Sequence, residues 1–277
     1  MTLKELVSLL SPPLLLQVYG RLRPGAPRLS GEYRSWEEAV SASTGYGDDM
    51  ILEKTRLALL KVKNGDAAYE RDSVVFADIQ HAWPLLAGLL WVAARSGGTL
   101  NVLDFGGSLG STYFQNRAFL RRVPGVLWNI IEQPRHVETG RQWFEDECLR
   151  FYFRVEDCLA ETQPNVILLS SVLQYLEHPY ELLGQLLRLP CDHVIIDRTP
   201  IWGGPADRLC VQYVPRRIYR ASYPSWIFSE QRLLTEVQNN GFETVAEVND
   251  PDRPQGPISF AYKGMIGVRS TTLGQTA

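Results

Sequence analysis

Residues 101–112 read NVLDFGGSLGST. An apolar run ends in Asp104 and Phe105 and breaks at once into Gly106, Gly107 and, after Ser108 and Leu109, Gly110. A short apolar run bounded by glycine reads as a buried strand. Glycines directly beyond it let the main chain approach a ligand that a Cβ would push away, and the N–H groups opening the next helix favour a carboxylate or phosphate. Asp104, at the strand end, is placed to hold a cation or a network of donors.

The pattern downstream tells what kind of sheet this strand belongs to. TLNVLDF, VLWNIIE, LRFYFR, NVILLSS and HVIIDR are short, apolar and rich in β-branched and aromatic residues. Enough chain separates each pair for a helix, and strands alternating with helices give a parallel sheet covered on both faces. YFQNRAFLRR ends in a cationic pair suited to a helix C-terminus, and PYELLGQLLRL carries Pro179 at its first position. SEQRLLTEVQNNGFETVAEV reads as a helix capped by Ser229 and stopped at Asn240-Gly241, then a strand. A turn over Pro251–Pro257 and a last strand, ISFAYKGMIGV, follow. Two strands joined without a helix must be antiparallel.

Upstream, the period from Gly31 to about Ser96 is helical. Ser35 and Glu38 form a capping box at SWEE. DDMILEKTRLALLKVKNG sets Ile51, Leu52, Thr55, Leu59 and Val62 on one stripe, and SVVFADIQHAWPLLAGLLWVAARSGG does the same with Ile79, Trp83, Leu86 and Leu90. Pro84 kinks or restarts that second helix. The expected division is a helical extension and cap over 1–96, a sheet domain over 97–270 and a flexible tail over 271–277.

The chain has 277 residues, 45% of them hydrophobic and 21% charged, enough for a sizeable core. A net charge of -3 without a long Lys/Arg block argues against nucleic acid as a partner. Cys148, Cys158, Cys191 and Cys210 lack the close pairing of zinc or redox motifs, so no metal is expected and the thiols fit a reducing cytoplasm. No run is long enough to span a membrane. The apolar pieces of residues 1–25 either rest on a membrane surface or pack on the chain's own body.

A dinucleotide fingerprint, G-x-G-x-x-G, fits the loop in no frame. D-x-G-x-x-x-G does, with Asp104, Gly106 and Gly110, and resembles the first motif of class I methyltransferases that use S-adenosylmethionine. Glu132, ending the next strand 26 residues beyond Gly106, can accept hydrogen bonds from both hydroxyls of a ribose. In NVILLSSVLQYLEHPYELL, the strand runs through Ser170-Ser171 into Leu173 and Tyr175, which resembles the cofactor-flanking turn of the same class.

Over nearly its full length the chain resembles a family of bacterial methyltransferases. The resemblance is carried by GEYRSWEEAVSASTGY, LDFGGSLGSTYFQNR, LLSSVLQYLEHPY, IIDRTP and YPSWIFS. It implies a Rossmann-like class I methyltransferase fold: a mostly parallel seven-stranded sheet, an antiparallel C-terminal hairpin and a helical N-terminal cap. It implies S-adenosyl-L-methionine as cofactor, held by Asp104, Phe105, Gly106, Gly107, Ser108, Gly110, Glu132, Gln133, Ser170, Ser171 and Leu173. Ser108, where the motif usually has glycine, narrows the loop and can bond the amino-acid end of the cofactor. No particular acceptor follows from the family.

Methyl transfer from a sulfonium to oxygen or nitrogen needs alignment and exclusion of water, with a base where the acceptor holds a proton. Candidates beyond the strand ends are His178, Tyr175, Asp197 and Arg198. His178 is a base by its intrinsic pKa or a cap of the helix at Pro179. Arg198 holds an anionic acceptor or pairs with Asp197. Tyr219, Tyr223, Trp226 and Phe228 either pack a helix on the sheet edge or wall a glycan-type or small-molecule acceptor. The Gly/Pro-rich IWGGPADRLCVQYVP reads as a lid, and Tyr46 in the cap as a residue that closes over the cleft. The competing classes are a non-catalytic cofactor-binding or scaffold module with the same fold, and a nicotinamide-dependent enzyme.

Overall fold

The computed structural model describes residues 28–45, 48–71, 73–214, 221–249 and 256–270. In chain order the elements are β1 (Arg28–Tyr33), α1 (Trp36–Ser41), α2 (Asp48–Asn64), β2 (Tyr69–Arg71), β3 (Val74–Phe76), α3 (Trp83–Arg95), β4 (Thr99–Phe105), α4 (Ser111–Leu120), β5 (Gly125–Ile131), α5 (Pro134–Trp143), β6 (Leu149–Tyr152) and α6 (Val155–Glu161). There follow β7 (Val166–Ser170), a 3₁₀ turn (Leu173–Tyr175), α7 (Pro179–Leu187), β8 (His193–Trp202), β9 (Arg208–Tyr213), β10 (Ser222–Ser229), α8 (Glu230–Asn239), β11 (Phe242–Asn249) and β12 (Ala261–Arg269).

The expected sheet is present as seven strands in the order β6-β5-β4-β7-β8-β12-β11. The pairs β5–β6, β4–β5, β4–β7 and β7–β8 are parallel, and β12 runs antiparallel to both β8 and β11. Alternate residues of these strands enter two cores. Leu100, Val102, Trp128, Ile130, Val166 and Leu168 pack with α2 to α5 on one face. Leu103, Ile131, Ile167, Leu169 and Val194 pack with α7 and α8 on the other. This is the period of two that places successive side chains on opposite faces.

The sheet does not stop at seven strands. β12 covers one edge of β8 from His193 to Ile201, so β7, which pairs with 193–197, and β10, which pairs at Ile201 and Trp202, share the other. β10 leads through antiparallel β9 to antiparallel β1. This three-stranded wing therefore leaves β8 just beyond the carboxyl end of β7. Pro224, which cannot donate to a ladder, is tolerated in β10 because β8 pairs only with its last two residues, Phe228 and Ser229.

Some expectations change. Residues 31–96 are not uniformly helical: they finish β1 and contain the β2–β3 hairpin. Ile79 lies outside any helix and is 38% exposed, because α3 begins only at Trp83 with Pro84 in its first turn. The capping box is present in its Ser35 half, the hydroxyl accepting from Glu38 N–H, while the Glu38 carboxylate accepts from the N–H of Arg34, one residue before the cap. The segment read as a lid is β9 and a pinned loop. Asp207 accepts from Tyr180 O–H at 3.1 Å, Ser229 N–H at 2.8 Å and Arg232 at 2.6 Å. Ser229 does not cap α8 through its side chain; its hydroxyl donates to Gly204 O.

β6 ends the sheet on one side, and its outward main chain is closed by side chains. Arg141 donates to Phe151 O at 3.0 and 2.8 Å, and Glu145 accepts from Phe151 N–H at 3.2 Å. Among the described residues, no helix is long and apolar enough to cross a membrane. The expectations for residues 1–25, Tyr46, Tyr219, residues 251–255 of the proline-rich turn and the tail at 271–277 lie outside the described residues.

Candidate functional site

β4 delivers Phe105 to the point where the strand order reverses, with β5 on one side and β7 on the other. Ligands of open α/β sheets bind in the crevice at such a point, outside the carboxyl ends of the strands. The main chain turns there with Gly106 at φ +74°, Ser108 at φ +53° and Gly110 at φ +96°. The Gly106 amide donates to Ile131 O and the Gly110 amide to Gly107 O, both at 3.0 Å.

The glycines have reasons inside the chain as well as any toward a ligand. A Cβ on Gly106 would stand 2.4 Å from Val172 Cγ2, and one on Gly107 would stand 2.4 Å from Asp104 Oδ2. The loop is thus pressed between the turn after β7 and the acid at the end of its own strand. Asp104 lies beneath the loop, 1% exposed, and its Oδ2 accepts from the Trp128 indole N–H at 2.8 Å. Burial pushes its carboxyl up to about 7; the indole pulls against this, and the Glu132 charge adds to it.

Glu132 follows β5 and is half-buried. One oxygen accepts from the Ser108 amide at 3.2 Å and the other from the Gln133 amide at 2.7 Å. Loop and acid are therefore brought together, with Gln133 exposed beside them.

The ends of β7 and β8 form the other wall. The Ser170 hydroxyl donates to Asp197 Oδ2 at 2.8 Å, and the Ser171 amide to Asp197 O at 2.9 Å. Ser171 has φ +56° and Arg198 φ +49°. A left-handed residue other than glycine is strained by about 1–3 kcal/mol, and such strain gathers at functional sites. Of the four in the described residues, Ser108, Ser171 and Arg198 lie on this rim; Ser73 is the fourth.

Leu173 is buried in the turn, and Tyr175 joins a hydrogen-bond row that reaches the wing. Its hydroxyl donates to Gln212 Oε1 at 3.3 Å, and Gln212 Nε2 donates to the Tyr223 hydroxyl at 3.1 Å. The rings of Tyr175 and Tyr223 meet edge to face at 5.1 Å. Trp226 donates to Leu176 O at 2.9 Å and stacks on Trp36 at 6.2 Å, so α1 and the wing are fastened to the same turn. Tyr223, Trp226 and Phe228 are thus packed strand residues.

His178 takes no part in these contacts. Its side chain is 71% exposed, with Glu177 at 3.8 Å. Two participants carry no sequence signal of their own. Gln212 sits in a strand buried on both faces, and Glu70 in a three-residue strand from which it reaches the Ser111 hydroxyl at the start of α4.

Within the seven strands from β6 to β11, the order and the single reversed strand, β12, decide the architecture. The fold is Rossmann-like, of the class I methyltransferase type. No family model matches the chain, and no curated protein matches it. Solved structures similar to it include the N-terminal domain of EvdMO1 with SAH bound, 13% identical, covering 77% of this chain and 97% of that one at a TM-score of 0.47. The magnesium protoporphyrin IX methyltransferase ChlM from Synechocystis PCC 6803 with bound SAM is 16% identical, with coverages of 82% and 87% and a TM-score of 0.42. SAM-bound CalS10, an amino pentose methyltransferase from Micromonospora echinaspora, is 11% identical, with coverages of 68% and 92% and a TM-score of 0.43.

Proposed function

We propose that the chain is an S-adenosylmethionine-dependent methyltransferase acting at oxygen or nitrogen of a small-molecule or glycan-type acceptor. The observation that carries the reading is the contact of Glu132 with the Ser108 amide at 3.2 Å, which sets a strand-end carboxylate against a glycine loop at the reversal of strand order. A ribose diol beside Glu132 donates to that carboxylate in charge-assisted bonds. The loop at 106–110 receives the amino-acid end of the cofactor, above the support given by Asp104. Phe105, Gln133, Ser170, Ser171 and Leu173 border the adenosyl part.

When bound, the cofactor supplies an electrophilic methyl group on sulfur. The chain aligns the acceptor with it and keeps water away. Asp197 and Tyr175 are the groups on the rim suited to hold a proton of the acceptor. Asp197 is 9% exposed and oriented by the Ser170 hydroxyl; Tyr175 is oriented by Gln212. Arg198 follows Asp197 and offers its guanidinium to an anionic part of the acceptor. Isothermal titration with S-adenosylmethionine and with S-adenosylhomocysteine tests the reading, which fails if neither binds.

One observation favours a second reading, a cofactor-binding module without transfer activity. The histidine nearest the cleft in sequence, His178, has a side chain 71% exposed beside Glu177, while Asp197 is held by the Ser170 hydroxyl. Binding of both nucleosides with no methyl transferred to cell-extract small molecules supports that alternative.

A further inference from the structure

The β2–β3 hairpin carries a carboxylate that the proposed chemistry does not use. Glu70 is 2% exposed. A carboxylate out of water costs several kcal/mol unless its oxygens are matched, and here both accept. Oε1 takes the Ser73 N–H at 2.7 Å, and Oε2 takes the Ser111 hydroxyl. Ser73, at φ +65°, is bonded through its own hydroxyl to Thr55 of α2 at 2.7 Å.

Ser111 is the first residue of α4 and follows Gly110 directly. A row of hydrogen bonds therefore runs from α2, through the hairpin, to the turn that ends the glycine loop. Each glycine in a loop adds conformers that must be given up before its amides can hold anything. The start of the loop is held by Ile131 O, Val172 and Asp104; its end is tied to Glu70 by the residue that follows Gly110.

We propose that Glu70 is a positioning residue for the loop at 106–110: by anchoring Ser111 it fixes the turn of main chain that receives the amino-acid end of the cofactor. The inference rests on the cofactor reading above. A preorganised loop adds affinity only for the part of a ligand that touches it. Glu70 thus affects the amino-acid end and leaves the nucleoside end alone.

Two ligands separate these ends: S-adenosylhomocysteine, and 5′-methylthioadenosine, which keeps the nucleoside and sulfur but lacks the amino acid. In isothermal titration of the full chain, Glu70→Gln should weaken S-adenosylhomocysteine by about tenfold and 5′-methylthioadenosine by less than about twofold. Equal losses for both ligands, or no loss for the first, overturn the proposal and leave the cofactor reading in place. Failure of the unaltered protein to bind S-adenosylhomocysteine overturns both. Should Glu70→Gln not fold, Ser111→Ala removes the same bond from the other side, and the same unequal loss is expected.

Discussion

Replacing Asp104 by asparagine should raise stability relative to the parent progressively as pH rises. Asp104 is 1% exposed and its carboxyl titrates at about 7, against an ordinary value of 3.8, chiefly because burial penalises its charge. Between these two values the folded chain keeps a proton that the unfolded chain has released. Stability contributed by this group is therefore complete below the unfolded value and is lost as pH rises through the folded one. A gap of roughly three units, at about 1.36 kcal/mol each, amounts to about 4 kcal/mol, nearly all of it lost by about pH 7.

The amide introduced by Asp104→Asn does not titrate, and its carbonyl can still accept the Trp128 indole N–H that Asp104 Oδ2 accepts at 2.8 Å. The assay is denaturant unfolding of both proteins, followed by tryptophan fluorescence, in steps from about pH 4 to about pH 8. The unfolding free energy of the variant minus that of the parent should grow by about 4 kcal/mol over that span. The difference cancels the other titrating groups. A difference constant with pH, or shrinking, would refute the burial argument.

Glu132→Ala should weaken S-adenosylmethionine by about 1–3 kcal/mol, the cost of leaving ribose hydroxyls unmatched, as read by titration calorimetry; unchanged affinity would mean the ribose lies elsewhere. Gly106→Ala puts a Cβ 2.4 Å from Val172 Cγ2 at φ +74° and should cost about 2 kcal/mol or more in chemical unfolding. Val172→Ala in the same chain should restore part of that loss; no restoration would show that backbone strain alone is at work. Asp207→Ala strands the Tyr180 hydroxyl, the Ser229 amide and the Arg232 guanidinium and should lower stability by about 2 kcal/mol. A midpoint unchanged in urea would contradict the pinned loop.

The parallel strands were legible because each is an apolar run of the right length between breakers, and Asn64-Gly65 and Asn240-Gly241 marked helix ends that the structure keeps. The wing was not. β9 is buried on both faces, so RLCVQY shows no alternation, and Pro224 argues against a strand unless its edge pairing is already known. β2 and β3 are three residues each, below the length at which a period can be seen. In the site, the loop and Glu132 carried a local signal, a glycine spacing and an acid at a strand end. Gln212 and Glu70 act through partners 37 and 41 residues away, and no local pattern encodes such distances.

The plugging of β6 by Arg141 and Glu145 bears on how the molecule behaves in a crowded solution. A ten-stranded sheet with a bare margin is a template on which a neighbouring polypeptide can add itself, copy after copy. Here the main-chain donor and acceptor of Phe151 are already taken by the chain's own arms, so an incoming segment would first have to evict two charged groups. Colloidal solubility at that margin depends on two surface residues remote from any chemistry.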